Sequence, residues 1–155
     1  MAARRFTDLR AWQACDLLKK ATYVLCRSGS LSRDLKLRSQ LEDAVAGPPR
    51  SIAEGFGRFN PADFNRFVVM ARASLMETQN HLRDAVDKGH INENVRLEHD
   101  RLAETALQQT TGLMEYLQSS EALTNARRAR ERRIHERELR RTEREPEARS
   151  EKSEG

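Results

Sequence analysis

The chain is 155 residues long with a formal net charge of +4, a pI near 9.4, charge on 34% of residues and only 5% aromatics. That length fits one domain with extensions, and the shortage of aromatic and β-branched runs argues against a sheet-built core and for an all-α one. No window reaches the roughly 18 apolar residues of a membrane span, and the basic residues of the N-terminus have no signal-peptide apolar core behind them.

The first helix is expected over residues 8–27, capped by Thr7 or Asp8. Ala11, Cys15, Leu18, Thr22 and Leu25 alternate three- and four-residue spacings, which puts them on one buried face. Trp12 and Tyr23 share a neighbouring face, and Ser28-Gly29-Ser30 ends the helix. Cys15 and Cys26 lie three turns apart on this helix, about 16 Å, and cannot bridge each other within it. Two thiols without CxxC spacing read as packing residues in a reducing cytoplasm.

The second helix is expected to begin within residues 32–35 and to point Leu37, Leu41 and Val45 inward. It then meets Gly47-Pro48-Pro49, where proline removes helix hydrogen bonds at a cost of about 3 kcal/mol. A kink or stop is therefore expected there, with residues 49–55 restarting as a short second half. The small residues Ala44, Ala46, Gly47, Ser51, Ala53 and Gly55 would let another backbone approach closely.

The third helix has the plainest start. Asn60-Pro61-Ala62-Asp63 gives an N-cap, a proline at the first helical position and an early acid. Phe64, Phe67/Val68, Ala71, Leu75, Thr78, Leu82 and Ala85 follow as one buried stripe, ending near Lys88 and Gly89. Val69, Ala73, Met76 and Asn80 form a second stripe that points away from the first. Two opposed apolar stripes suggest that one packs inside the protomer and the other meets a second copy. The plainer alternative is a broad core face with a few exposed apolar residues.

A fourth helix is expected over residues 92–119. Val95, Leu102, Ala106, Leu113 and Leu117 make its inward stripe, with Ala103, Leu107 and Met114 beside it and His99 on the edge. Four helices of about 20 to 28 residues with short connections give an antiparallel up-down four-helix bundle over residues 1–120, its second helix kinked at Gly47–Pro49.

Beyond the bundle the composition changes. Residues 127–144 hold nine arginines against four glutamates. Residues 121–144 are therefore an arginine-rich extension, a charged helix continuing the fourth, and residues 145–155 are a tail expected to be disordered. Pairs at i,i+4 such as Arg127/Glu131, Arg132/Glu136, Glu136/Arg140 and Arg141/Glu145 would each add a few tenths of a kcal/mol. Within residues 127–144, Ile134 and Leu139 are the only apolar anchors.

No reaction can be read from these residues. There is no Glu-x-x-His of a di-iron bundle, no phosphate loop, no nucleophile elbow and no zincin helix, and His81, His90, His99 and His135 are scattered. Neither a metal, a cofactor nor an enzymatic activity is expected. Glu54 reads as a structural acceptor that caps backbone or pairs an arginine. Arginine is the one functional enrichment, since phosphate contacts draw on Arg and Lys. Arg127, Arg128, Arg130, Arg132, Arg133, Arg137, Arg140 and Arg141 are the leading nucleic-acid-binding candidates, with Arg4, Arg5 and Arg10 next. A solubilising charged helix would carry the same residues.

A family resemblance runs over residues 6–118. Phe6-x-x-Leu9-x-x-Trp12-Gln13, Leu37-x-x-Gln40-Leu41, Ser51-Ile52-Ala53-Glu54-Gly55-Phe56-Gly57-Arg58, Phe64-x-x-Phe67 and Ala71-Arg72-x-Ser74-Leu75-x-Glu77 occur in that order. Together they resemble the four-helix bundle proteins of the 23S rRNA intervening-sequence family, related to the accessory proteins of diversity-generating retroelements. The resemblance implies a cytoplasmic homopentamer without known enzymatic activity, suspected of binding RNA or a ribonucleoprotein, and on the retroelement side of assisting a reverse transcriptase. The chain departs from that pattern at Glu42-Asp43, where a basic pair is usual, and at Gly47-Pro48-Pro49-Arg50-Ser51, which replaces Ser-Ile-Pro-x-Asn. The arginine-rich tail lies outside it altogether. The reading that follows is a non-catalytic oligomeric bundle that binds RNA, or a ribonucleoprotein or reverse transcriptase, as scaffold or accessory factor. The alternative is an interaction protein that docks a protein partner through its charged tail without nucleic acid.

Overall fold

A computed structural model describes residues 3–58 and 60–150, with side chains up to Arg140. The described residues are all-helical: α1 Arg10–Cys26, α2 Leu35–Gly57, α3 Pro61–Asp87, α4 Glu93–Leu117 and α5 Ser120–Ser150, with single 3-10 turns at Phe6–Asp8 and Leu31–Arg33. The chain divides into two units, residues 1–118 and residues 119–155.

In the first unit α1 packs on α2 and α4, α2 on α3, and α3 on α4, a closed cycle of four long helices. One core cluster joins Cys15, Leu18, Val45, Ile52, Val68, Ala71, Leu75, Ala103 and Ala106; a second joins Cys26, Leu31, Leu37, Leu41, Leu82 and Ala85. Both cysteines are free and buried, and burial pushes the thiols up to about 12 at Cys15 and about 11 at Cys26. They are packing groups, as their isolation in sequence suggests.

α1 starts two residues later than expected. Leu9 is its N-cap, and Asp8 is spent one turn earlier, accepting the backbone N–H groups of Arg4 and Arg5 at 3.0 and 2.9 Å. α2 begins where Asp34 accepts from the Leu37 N–H at 3.0 Å, a side-chain cap of the expected kind.

α2 does not stop at the prolines; it runs unbroken from Leu35 to Gly57. Pro48 and Pro49 have no N–H for the carbonyls one turn back, yet both are buried, as are Ala44, Val45, Gly47, Ile52 and Gly55 around them. Burial of this whole face offsets the missing bonds. The small residues serve close approach to α3: a Cβ on Gly47 would lie 3.0 Å from Ser74 Oγ, and one on Gly55 would lie 2.4 Å from Phe64 Cδ2.

α3 matches its expected stripe: Asn60 accepts from the Ala62 and Asp63 N–H groups, and Phe64, Val68, Ala71, Leu75, Thr78, Leu82 and Ala85 are buried. α4 keeps Ala106 and Leu117 of its expected inward stripe and is otherwise rotated from it. Its buried line is Arg96, His99, Ala103, Ala106, Thr110 and Leu117, while Val95, Leu102, Leu107, Leu113 and Met114 sit half-buried on the shoulders. Small residues at the centre let α4 lie close to its neighbours, and the larger side chains fill the flanks. His99 is thus buried and not at an edge; its Nδ1 donates to the Val95 carbonyl at 2.9 Å.

The second unit is one helix. α5 starts afresh at Ser120 after a two-residue break, with Ser119 Oγ accepting from the Ala122 N–H at 3.2 Å, so it is no continuation of α4. It runs past residue 144 to Ser150. The rest of the expected tail, residues 151–155, and the side chain of Arg141 lie outside the described residues.

Candidate nucleic-acid interface

Helix geometry sorts the arginines of α5. Arg127, Arg130, Arg133, Arg137 and Arg140 follow one another at three- and four-residue spacings and so share one side. At a rise of about 1.5 Å per residue, successive members stand about 4.5 to 6 Å apart along the axis. Arg128 and Arg132 project on another side, and Glu131, Glu136 and Glu138 lie off the arginine line. All seven of these arginines are exposed. Of the expected intrahelical pairs, Arg127–Glu131 is formed at 3.0 Å, and at that exposure it restrains the side chains little. A guanidinium stays charged at any physiological pH and offers a fork of N–H donors that matches two phosphate oxygens. A file of them along one helix can follow a polyanion backbone, and it has no preference for a base.

Arg4, Arg5 and Arg10 belong to the other unit. Arg4 and Arg5 are exposed, their backbone tied to Asp8, and Arg10 is the exposed first residue of α1.

The second stripe of α3 is in solvent in the protomer. Val69, Ala73, Met76 and Asn80 are all exposed, with Met70 beside them.

The Ile52–Arg58 motif divides by burial. Ile52 and Gly55 are buried against α3, Ala53 and Phe56 are half-buried, and Glu54, Gly57 and Arg58 are exposed. Glu54 Oε1 accepts from Arg58 Nη2 at 2.7 Å, and the Arg58 guanidinium lies 5.0 Å from the Phe67 ring centroid. Phe56 meets Phe64 edge-on at 6.2 Å. Glu54 therefore has the arginine partner expected of it, and the motif ties the end of α2 to the start of α3. Glu42, where the family resemblance expects a base, is paired with Arg38 at 3.1 Å.

One constellation was not legible in the sequence. Asp34 Oδ2 accepts from Lys88 Nζ at 3.0 Å and from His90 Nε2 at 3.1 Å, while His90 Nδ1 accepts the Ser30 hydroxyl at 2.9 Å. The Leu37 N–H, Lys88 and His90 together hold the Asp34 carboxyl well below the usual carboxylate range, so the ionised carboxylate accepts and Nε2 carries the proton. The trio has the chemistry of a Ser-His-Asp relay, but Asp34 is also a helix cap and is neutralised by Lys88. Ser30 is not among the residues lining the neighbouring depression of about 380 Å³, which is formed by Leu25, Ser28, His90, Ile91 and others. The network clasps the α1–α2 connection to the α3–α4 connection. Its partners lie 54 to 60 residues apart; the only sequence signals are a capping Asp and a glycine in each connection, Gly29 and Gly89, both at positive φ.

Residues 7–112 match the family described as 23S rRNA-intervening sequence protein, more than half of the chain. The chain belongs to that family. No curated protein matches it. The family match takes in the whole of α1 to α3, the Ile52–Arg58 motif and the Ser30–His90–Asp34 clasp, and it ends within α4. α5 and its arginine file lie beyond it. Among the described residues no helix is long and apolar enough to cross a membrane.

Proposed function

We propose that this family member is a non-catalytic, oligomeric scaffold or accessory factor that binds RNA through α5. The observation that carries this reading is the file of exposed arginines on one side of that helix, in a chain whose family is described by an rRNA intervening sequence. The bundle is taken to be antiparallel and up-down, bent at Gly47–Pro49 where two successive N–H groups are missing. The exposed second stripe of α3 supports self-association, as a homopentamer if the chain assembles as its family resemblance implies. Several copies of α5 then present several weak phosphate contacts at once, and avidity makes a firm site from them. A ribonucleoprotein, with a reverse transcriptase as its protein component, is the partner proposed in the cytoplasm.

Truncation after residue 118 tests this. The shortened chain is expected to lose most of its affinity for a single-stranded RNA while keeping the particle mass of the full chain in light scattering. Unchanged RNA affinity would remove α5 from the site. A protein partner that copurifies equally with and without nuclease treatment, together with no RNA affinity at low salt, would favour protein docking through the same helix.

A further inference from the structure

α1 contacts α2 and α4, and α3 contacts the same two helices, so α1 and α3 lie on one diagonal and turn their outer faces in opposite directions. The core orders both helices alike. Ala11, Cys15 and Leu18 share a cluster with Phe64, Val68, Ala71 and Leu75, whereas Cys26 shares the other with Leu82 and Ala85. α1 and α3 therefore run in the same direction, α3 being the longer by ten residues.

α1 has an outward apolar patch that the α3 stripe alone does not explain. Its exposed line runs Arg10, Gln13, Leu17, Lys20 and Val24, and Arg27 follows as its C-cap. Leu17 is 57% exposed and Val24 71%. On α3, Val69 is 48% and Met76 51% exposed, with Ala73 between them. The ends of each patch stand seven residues apart, about 10.5 Å of helix. The two faces are complementary in charge. Lys20, paired with Asp16 at 2.7 Å, and Arg27 stand on the α1 line. The second half of α3 carries Glu77 and Asp84, which flank His81 at 3.7 and 3.6 Å, and Asp87, around Arg83.

A two-fold contact would bring a face against its own copy and leave the other apolar patch in water. Two different patches of equal length, on opposite sides of the protomer, suit a head-to-tail contact that repeats around a ring. We infer that the α1 face centred on Leu17 and Val24 docks on the α3 face centred on Val69, Ala73 and Met76 of the next copy of this chain. This rests on the oligomeric reading above and adds the surface that the α3 stripe meets.

The test mixes two variants of the full chain, Leu17→Glu/Val24→Glu and Val69→Glu/Met76→Glu. Each alone is expected to run at the monomer mass of 17.8 kDa in light scattering. Mixed in equal amounts, they are expected to form a 1:1 heterodimer and nothing larger, because each keeps the face the other has lost and no second contact remains. As a milder pair, Lys20→Glu is expected to weaken wild-type assembly and Lys20→Glu/Glu77→Lys to restore it. If the α1 variant assembles like the wild type, or the two monomeric variants do not pair and the charge reversal does not rescue, the α1-to-α3 contact is wrong. A monomeric wild type would instead overturn the oligomeric reading itself.

Discussion

Glycines 55 and 57 sit two residues apart in one motif and answer to different physics. A Cβ on Gly55 would meet Phe64 Cδ2 at 2.4 Å and Phe67 Cβ at 2.8 Å, whereas one on Gly57 meets nothing within 4 Å. Gly55→Ala is expected to destabilise by about 1–3 kcal/mol through overpacking. Gly57→Ala is expected to be neutral or to stabilise by up to about 1 kcal/mol, since alanine suits a helix better. Urea unfolding of both variants checks this, and an equal loss at the two positions would contradict the packing argument. Asp34 offers a test by pH. Its folded carboxyl is held below its ordinary value, so the stability it contributes is complete above the unfolded value of about 3.9 and is lost as the pH falls through the lower folded one. Asp34→Asn keeps a capping side chain and removes the charge that Lys88 and His90 use. The wild type is expected to be the more stable at neutral pH, and the gap to close as the pH falls below about 4. A gap that persists in acid would assign the effect to shape instead of charge.

At the scale of the element, legibility followed how local the deciding forces are. α3 was readable because its cap, its first-turn proline and its stripe are consecutive and agree, and every one of its buried positions was expected from spacing alone. The prolines of α2 misled on the stop, because the loss of two backbone bonds is local while the burial that offsets it comes from the packed face. α4 was read in part: Ala106 and Leu117 are buried as expected, with Ala103 beside them. Weighting large apolar residues put Val95, Leu102 and Leu113 inward where Arg96, His99 and Thr110 are, a choice visible only once the neighbouring helices are in place. The arginines of α5 from Arg127 to Arg140 were all named from sequence, but their division into a file and an off-file pair needed the helix. Replacing Arg133 and Arg137 by alanine is accordingly expected to weaken RNA binding several-fold more than replacing Arg128 and Arg132. Equal losses, measured by fluorescence anisotropy, would show that total charge matters and its arrangement does not.

At the scale of the molecule, two parts of the chain have different origins for their order. Residues 1–118 hold a buried core that a family pattern over residues 7–112 specifies. α5 keeps its apolar residues Leu123, Ile134 and Leu139 about half exposed or more, so its surface is given over to charge. In the proposed function, assembly belongs to the bundle and polyanion contact to the extension. The most direct measurement of this account is the salt dependence of single-stranded RNA binding by the full chain. The logarithm of the affinity is expected to fall linearly with the logarithm of salt concentration, with a slope of about −0.7 for each phosphate contacted. Replacing Arg130, Arg133, Arg137 and Arg140 together by alanine is expected to make that slope shallower by up to about 2.8 per copy engaged. An affinity insensitive to salt, or a slope unchanged by the four replacements, would contradict it.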